Sequence, residues 1–310
     1  MNPHHAQINQ LFRNTYDFIQ QIILPTFGWP EFDHLITDYR QKRIDTGVYV
    51  DIFPALASVA SGGDVQQVIP LSAAWTLFMF AARVFDDLFD GEGYEHEWWQ
   101  SETAVSTTGM FAIGAANVAL SYIGDCTQQR DIAEAFNKLL VLAAKAEGKR
   151  PFVQHTSLEQ YFTDIASKTG LVFATGAWSG GVIAGGDEST LNALYQFGLN
   201  LGMMEQIVDD CQDVLIDVQN GVWTLPMLYA LAEAKKVGDG RFHNLLSQPK
   251  AISQWGDDVQ SFLAKYDAVN WSLKVAEVYQ CQAMSALAKL PDGCMADLEA
   301  YANRHIYQPA

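Results

Sequence analysis

The stretch Val68–Phe85 is apolar except for interruptions such as Ser72 and Arg83, and it runs directly into Asp86-Asp87-Leu88-Phe89-Asp90. A run of that length at helical spacing is a core helix or a membrane span. The polar breaks and the aspartates at its end favour a buried helix. A second apolar stretch ends in the same way, at Gln206-Ile-Val-Asp209-Asp210-Cys-Gln-Asp213. On a helix, residues four apart share a face, which pairs Asp86 with Asp90 and Asp209 with Asp213. Like charges at that spacing repel by a few tenths of a kcal/mol, and Asp is a poor helix-interior residue. A chain that carries this penalty twice implies a compensating cation.

Elsewhere apolar residues also recur with helical spacing, and strand-like alternation is scarce, so the fold class is all-α. The pattern predicts helices over Ile8–Ile23 and about 54–61, 67–90, 104–123, 129–147, 157–183, 188–216, 223–235, 255–265, 270–290 and 294–304. Breaks fall at Gly, Pro and Asp clusters. No Pro/Ser-rich linker divides the chain, which predicts one helical domain over residues 1–310.

The 310 residues are 49% hydrophobic, enough for a sizeable core, which excludes wholesale disorder. There are 36 Asp and Glu against 19 Lys and Arg, a net charge of −17. Such a surface is repelled by nucleic acid and anionic lipid, so neither nucleic-acid binding nor stable membrane insertion is expected. Cys126, Cys211, Cys281 and Cys294 lack CxxC spacing and read as reduced thiols. With no apolar run at the start of the chain to suggest a signal peptide, a cytoplasmic location is expected.

The oxygen-only ligand set of Asp86, Asp87, Asp90, Asp209, Asp210 and Asp213 points to Mg²⁺, or Mn²⁺, rather than zinc. Mg²⁺ takes few carboxylates and completes its shell with water and substrate phosphates. Several such ions are therefore expected around a diphosphate, with the apolar helices walling a pocket for a greasy tail. By contrast, Asp257-Asp258 is an isolated pair, and Glu95-His96-Glu97 reads as a solvated loop without H-E-x-x-H spacing.

At these residues the chain resembles the trans-isoprenyl diphosphate synthase (polyprenyl synthetase) family. Matching segments include Pro54-Ala-Leu-Ala57, both Asp-rich motifs, Lys168-Thr169-Gly170, Phe197-Gly-Leu-Asn-Leu-Gly202 and Thr224-Leu-Pro226. The resemblance implies a bundle of long helices around a deep apolar cavity, in a homodimer. It implies that Asp86, Asp90 and Asp209 bind Mg²⁺ about an allylic prenyl diphosphate, with Asp87, Asp210 and Asp213 sharing or supporting that role. Lys168, the only base between Arg150 and Lys235, is expected to contact the diphosphate, and Thr169 and Gln206 to line the site. Among these, Asp86, Asp90, Asp209 and Lys168 carry the catalytic step.

The chain also departs from the family. A Gly-Lys-x-x-Arg-Pro segment is expected just before Pro54, where Thr46-Gly-Val-Tyr-Val-Asp-Ile-Phe53 has no base, and no Arg-Arg pair follows the first motif. Those bases hold isopentenyl diphosphate in elongating members, and an anion without bases or metal is costly to bury. The pattern resembles terpene synthases built on the same scaffold. The expected activity is therefore Mg²⁺-dependent ionisation of one allylic diphosphate, then cyclisation or rearrangement of the cation in a dry, aromatic cavity. The alternative is a prenyltransferase that joins the allylic diphosphate to isopentenyl diphosphate or another acceptor. Ala81 and Ala82, one turn before Asp86, leave room for a tail of C15 to C20 or longer, with Phe78 the next obstacle.

Overall fold

The structure is a computed structural model that describes residues 3–46, 50–91, 93–147, 157–240, 256–290 and 295–303. Among the described residues every regular element is helical and none is a strand, as the apolar spacing predicts. The helices are α1 (Pro3–Phe18), α2 (Pro30–Thr46), α3 (Phe53–Ala60), α4 (Val65–Asp90), α5 (Glu102–Leu120), α6 (Cys126–Glu147), α7 (Leu158–Ile165), α8 (Leu171–Ile183), α9 (Glu188–Gln212), α10 (Val214–Gln219), α11 (Leu225–Lys236), α12 (Gly256–Lys265), α13 (Ala268–Leu287) and α14 (Ala296–Asn303). Wide π-type turns extend α1 over Ile19–Ile23 and join α7 to α8 over Ala166–Gly170.

Three sequence expectations change. Helix α2 was not expected, because Phe32 and Ile36, its buried residues, are set among charges and leave no apolar stripe. The 157–183 helix is interrupted by the π turn that carries Lys168 and Thr169. The 188–216 helix breaks at Asp213, which immediately precedes the short α10.

Contacts divide the chain into two compact units: Met1–Leu140 with Thr175–Tyr195 and Lys289–Tyr301, and Val141–Ala174 with Gln196–Ala288 and Ala302–Ala310. In the first, α4 is the central helix. Asp64 caps its start by accepting the Gln66 and Gln67 amides, and Gly91 ends it in a left-handed turn (φ 65°). Helix α4 packs chiefly on α5, and also on α1 and α3. Trp75, Phe80, Phe53 and Tyr16 form the fully buried centre of this unit. In the second, α10 to α13 close around Met227, Ala230, Val259, Leu263 and Ala268.

Helices α4 and α5 are both long and apolar enough to cross a membrane. The apolar window of α4 is 78% buried inside the protein, which makes it a core helix, whereas that of α5 is only 44% buried.

Candidate metal centre

Helix geometry sorts the aspartates of each motif. On α4, Phe80, Val84 and Asp87 follow i, i+4, i+7 spacing and turn into the core; Asp87 is 3% exposed. Phe78, Ala82, Asp86 and Asp90 lie on the adjacent i, i+4 ridge. Phe78 is buried, Ala82 and Asp86 are half-buried, and the Asp90 side chain lies outside the described residues. Ala81 is buried between the two rows.

On α9 the sorting is clearer. Gly198, Gly202, Gln206 and Asp210 recur every four residues on one face. A Cβ on Gly198 would stand 2.3 Å from the Phe173 carbonyl oxygen, and one on Gly202 would stand 2.7 Å from that of Thr169. Only glycine lets α9 lie this close to the π turn. The same face then brings Gln206 to Thr169, whose hydroxyl donates to Gln206 Oε1 at 2.5 Å. The Gln206 amide donates to Asp210 Oδ1 at 2.9 Å, and Tyr161 donates to Asp210 Oδ2 at 2.5 Å. Burial and the Asp210 charge push the Tyr161 phenol far above its ordinary range, so it remains a donor.

Asp209 and Asp213 fall on the neighbouring, exposed face. The protein crowding its carboxyl, with Asp210 and Asp213 beside it, pushes Asp209 up to about 6. A cation at this face would relieve that cost. Lys168 stands exposed on the π turn, and Thr169 is half-buried beside it. The structure thus groups Thr169, Gln206 and Asp210 in one network.

In both motifs the second aspartate is buried and accepts from an aromatic donor on another segment. Asp210 has Tyr161, and Asp87 has the Trp98 indole N–H at 3.0 Å. Asp87 and Asp210 are thus the buried members of their motifs, whereas Asp86 is half-buried and Asp209 and Asp213 are exposed. Among the described residues no three His, Cys, Asp or Glu side chains converge on one point. Sparse carboxylates fit Mg²⁺, which keeps open positions for water and phosphate, and do not fit a closed zinc site. The thiol in the second motif offers no nucleophile, because burial pushes Cys211 up to about 12.

Sequence reasoning missed Trp98 and Tyr161, since nothing local marks either as a partner of an aspartate. It also read Glu95-His96-Glu97 as a solvated loop. Glu95 and Glu97 are exposed, but the His96 ring turns inward and stacks on Trp98 at 4.3 Å. Trp75 is core: fully buried, it donates to the Val50 carbonyl at 2.7 Å.

Residues 34–255 match the family profile described as Polyprenyl synthetase. The chain belongs to the polyprenyl synthetase family. It is thereby an enzyme of isoprenoid biosynthesis. It is 24% identical over 259 residues to heptaprenyl diphosphate synthase component 2 of Bacillus subtilis, covering 78% of this chain and 73% of that protein. It is 27% identical over 253 residues to nonaprenyl diphosphate synthase of Mycobacterium tuberculosis, covering 76% and 74%. The fold is similar to that of geranylgeranyl pyrophosphate synthase from Corynebacterium glutamicum complexed with calcium and isoprenyl diphosphate, with TM-score 0.79, 22% identity and 99% of both chains covered.

The bases nearest the altered segment before Pro54 are committed elsewhere. Arg40 donates to Gln20 and Asp17, and Lys42 pairs with Asp38 at 2.8 Å. Arg43 Nε donates to Asp51, which is fully buried and also accepts from Tyr16 at 2.9 Å. Burial outweighs these partners and raises the Asp51 carboxyl to about 6. Gly47, Val48 and Tyr49 lie outside the described residues.

Proposed function

We propose that this chain is a Mg²⁺-dependent trans-prenyltransferase that joins an allylic prenyl diphosphate to isopentenyl diphosphate. Family membership carries this reading and puts elongation ahead of the cyclisation expected from the missing bases. Asp86 and Asp90 on α4, Asp209 on α9 and Asp213 just beyond its end hold the cations. Lys168 contacts the diphosphate, and the Thr169–Gln206 pair orients the substrate beside it. Bound Mg²⁺ supplies the positive charge that stabilises the departing diphosphate. The ridge from Asp86 through Ala82 to Phe78 leads the tail away from the metal, and Phe78 sets its floor. A substrate of C15 to C20 or longer follows from the small side chains at Ala81 and Ala82.

Cyclisation of a single allylic diphosphate stays the second reading, favoured by one observation. Arg43, the base closest to the altered segment, is spent on buried Asp51. Purified protein with Mg²⁺ and C10, C15 or C20 allylic diphosphates, with and without isopentenyl diphosphate, separates the two. A longer diphosphate formed only with the second substrate is expected; hydrocarbon or alcohol formed without it would overturn elongation. Asp86→Ala and Asp209→Ala should each abolish turnover.

We also assign a homodimer. Its support is α5, which is apolar by composition yet exposes Thr103, Thr107, Met110, Gly114 and Asn117 along one uncharged stripe. A charge-free face on a protein of net charge −17 suits a second copy of itself better than a charged surface. The exposed thiols Cys126 and Cys281 and the buried Cys211 are all free, which supports a cytoplasmic location.

A further inference from the structure

The segment after the first motif is built around Asp87. Its Oδ2 accepts the Trp98 indole N–H at 3.0 Å, and its Oδ1 forms an ion pair with Arg83 Nε at 3.2 Å. Gly93 adopts φ 71°, and a Cβ there would stand 2.3 Å from Asp87 Oδ2, so the loop backbone closes directly over the carboxylate. Trp98 is itself held, by the edge of Phe80 at 5.4 Å on one side and the stacked His96 ring on another. The Gly91 amide returns to the Asp87 carbonyl and ends the helix there. Side chain and main chain of one residue thus tie the loop to the last turn of α4. That turn carries Asp86 and Asp90, and helix ends fray unless they are tied.

We propose that Asp87 is a positioning residue rather than a metal ligand: clamped by Trp98, it holds the last turn of α4 so that Asp86 and Asp90 present a preformed face to the cation. Both of its oxygens are already engaged. An outer partner of this kind fixes the orientation of the ligating groups and sets affinity for the ion. The inference rests on the reading above that Asp86 and Asp90 hold the metal.

Trp98→Phe tests it, because the ring keeps its packing while the one donor is removed. Relative to the intact enzyme, the Mg²⁺ concentration for half-maximal turnover should rise about 10-fold, with turnover restored at saturating metal. Mn²⁺ titrated by electron paramagnetic resonance should bind correspondingly more weakly. Amide exchange at residues 86–91 should quicken in the metal-free protein. Asp87→Asn should follow Trp98→Phe. Phe80→Leu, which loses core packing but keeps the donor, should lower Tm without moving the metal half-saturation. Unchanged metal affinity and exchange in Trp98→Phe would overturn the clamp. So would an Asp87→Asn that saturating metal does not rescue beside an unaffected Trp98→Phe, since that marks a direct ligand. An Asp86→Asn variant that keeps full turnover and Mn²⁺ binding would instead remove the metal assignment itself, and the clamp's role with it.

Discussion

The Tyr161 hydroxyl and the Asp210 carboxylate meet at 2.5 Å, and both residues are buried. The contact joins α7 to the end of α9. Its counterpart in the first motif is Trp98 on Asp87. In each Asp-Asp pair the second carboxylate is buried under an aromatic donor and the first is more exposed.

Tyr161→Phe removes that donor from a buried carboxylate. A loss of about 1–3 kcal/mol in unfolding free energy is expected, more if the oxygen finds no water. Urea denaturation at neutral pH measures it. A variant as stable as the parent would show that the Tyr161 hydroxyl contributes nothing to holding Asp210.

Asp51 gives a pH signature. Its folded pKa of about 6 lies above the ordinary 3.8, so the folded state holds the proton more tightly than the unfolded one. Its contribution is therefore fullest below about pH 4 and is lost as pH rises through about 6. The difference of about two pKa units corresponds to about 3 kcal/mol. Asp51→Asn does not titrate, so its stability relative to the parent should improve by about that amount between pH 4 and pH 7. Paired denaturation curves across this range check the slope, whatever constant offset comes from the unpaired Arg43.

Phe78 is buried and packs edge-on against Phe136 at 5.3 Å, with only a void of about 10 Å³ beside them. Phe78→Ala should cost about 3–5 kcal/mol. Under the proposed elongation it should also lengthen the product. Chain-length analysis of the diphosphates, run beside a melting curve, reads both effects.

The exposed stripe of α5 is tested by Met110→Glu, which puts a charge at a side chain that is 66% exposed. In a monomer this substitution changes little. In a homodimer packed on this stripe it buries like charges against each other, and light scattering should report the mass of one chain. A dimer of unchanged mass would move the interface elsewhere.

The all-α class, the two Asp-rich helix ends and the pairing of Asp209 with Asp213 on one face were legible because each depends on helical spacing along a short stretch of chain. A period of 3.6 residues is written locally, and so is the glycine row that leads to Gln206 and Asp210. Helix α2 was not legible, because its two core residues are outnumbered by charges and its burial comes from neighbours such as Phe80 and Phe111.

By itself, the sequence determined which residues lie on helices, which carboxylates share a face and which segments lack bases. Only the tertiary structure decided which aspartate of each pair is buried against an aromatic donor. Tyr161 and Asp210 are 49 residues apart, Trp98 and Asp87 are 11 apart, and Arg43 reaches Asp51 across a break between helices. A buried carboxylate must find donors wherever the fold brings them, and no local period records which donor that is.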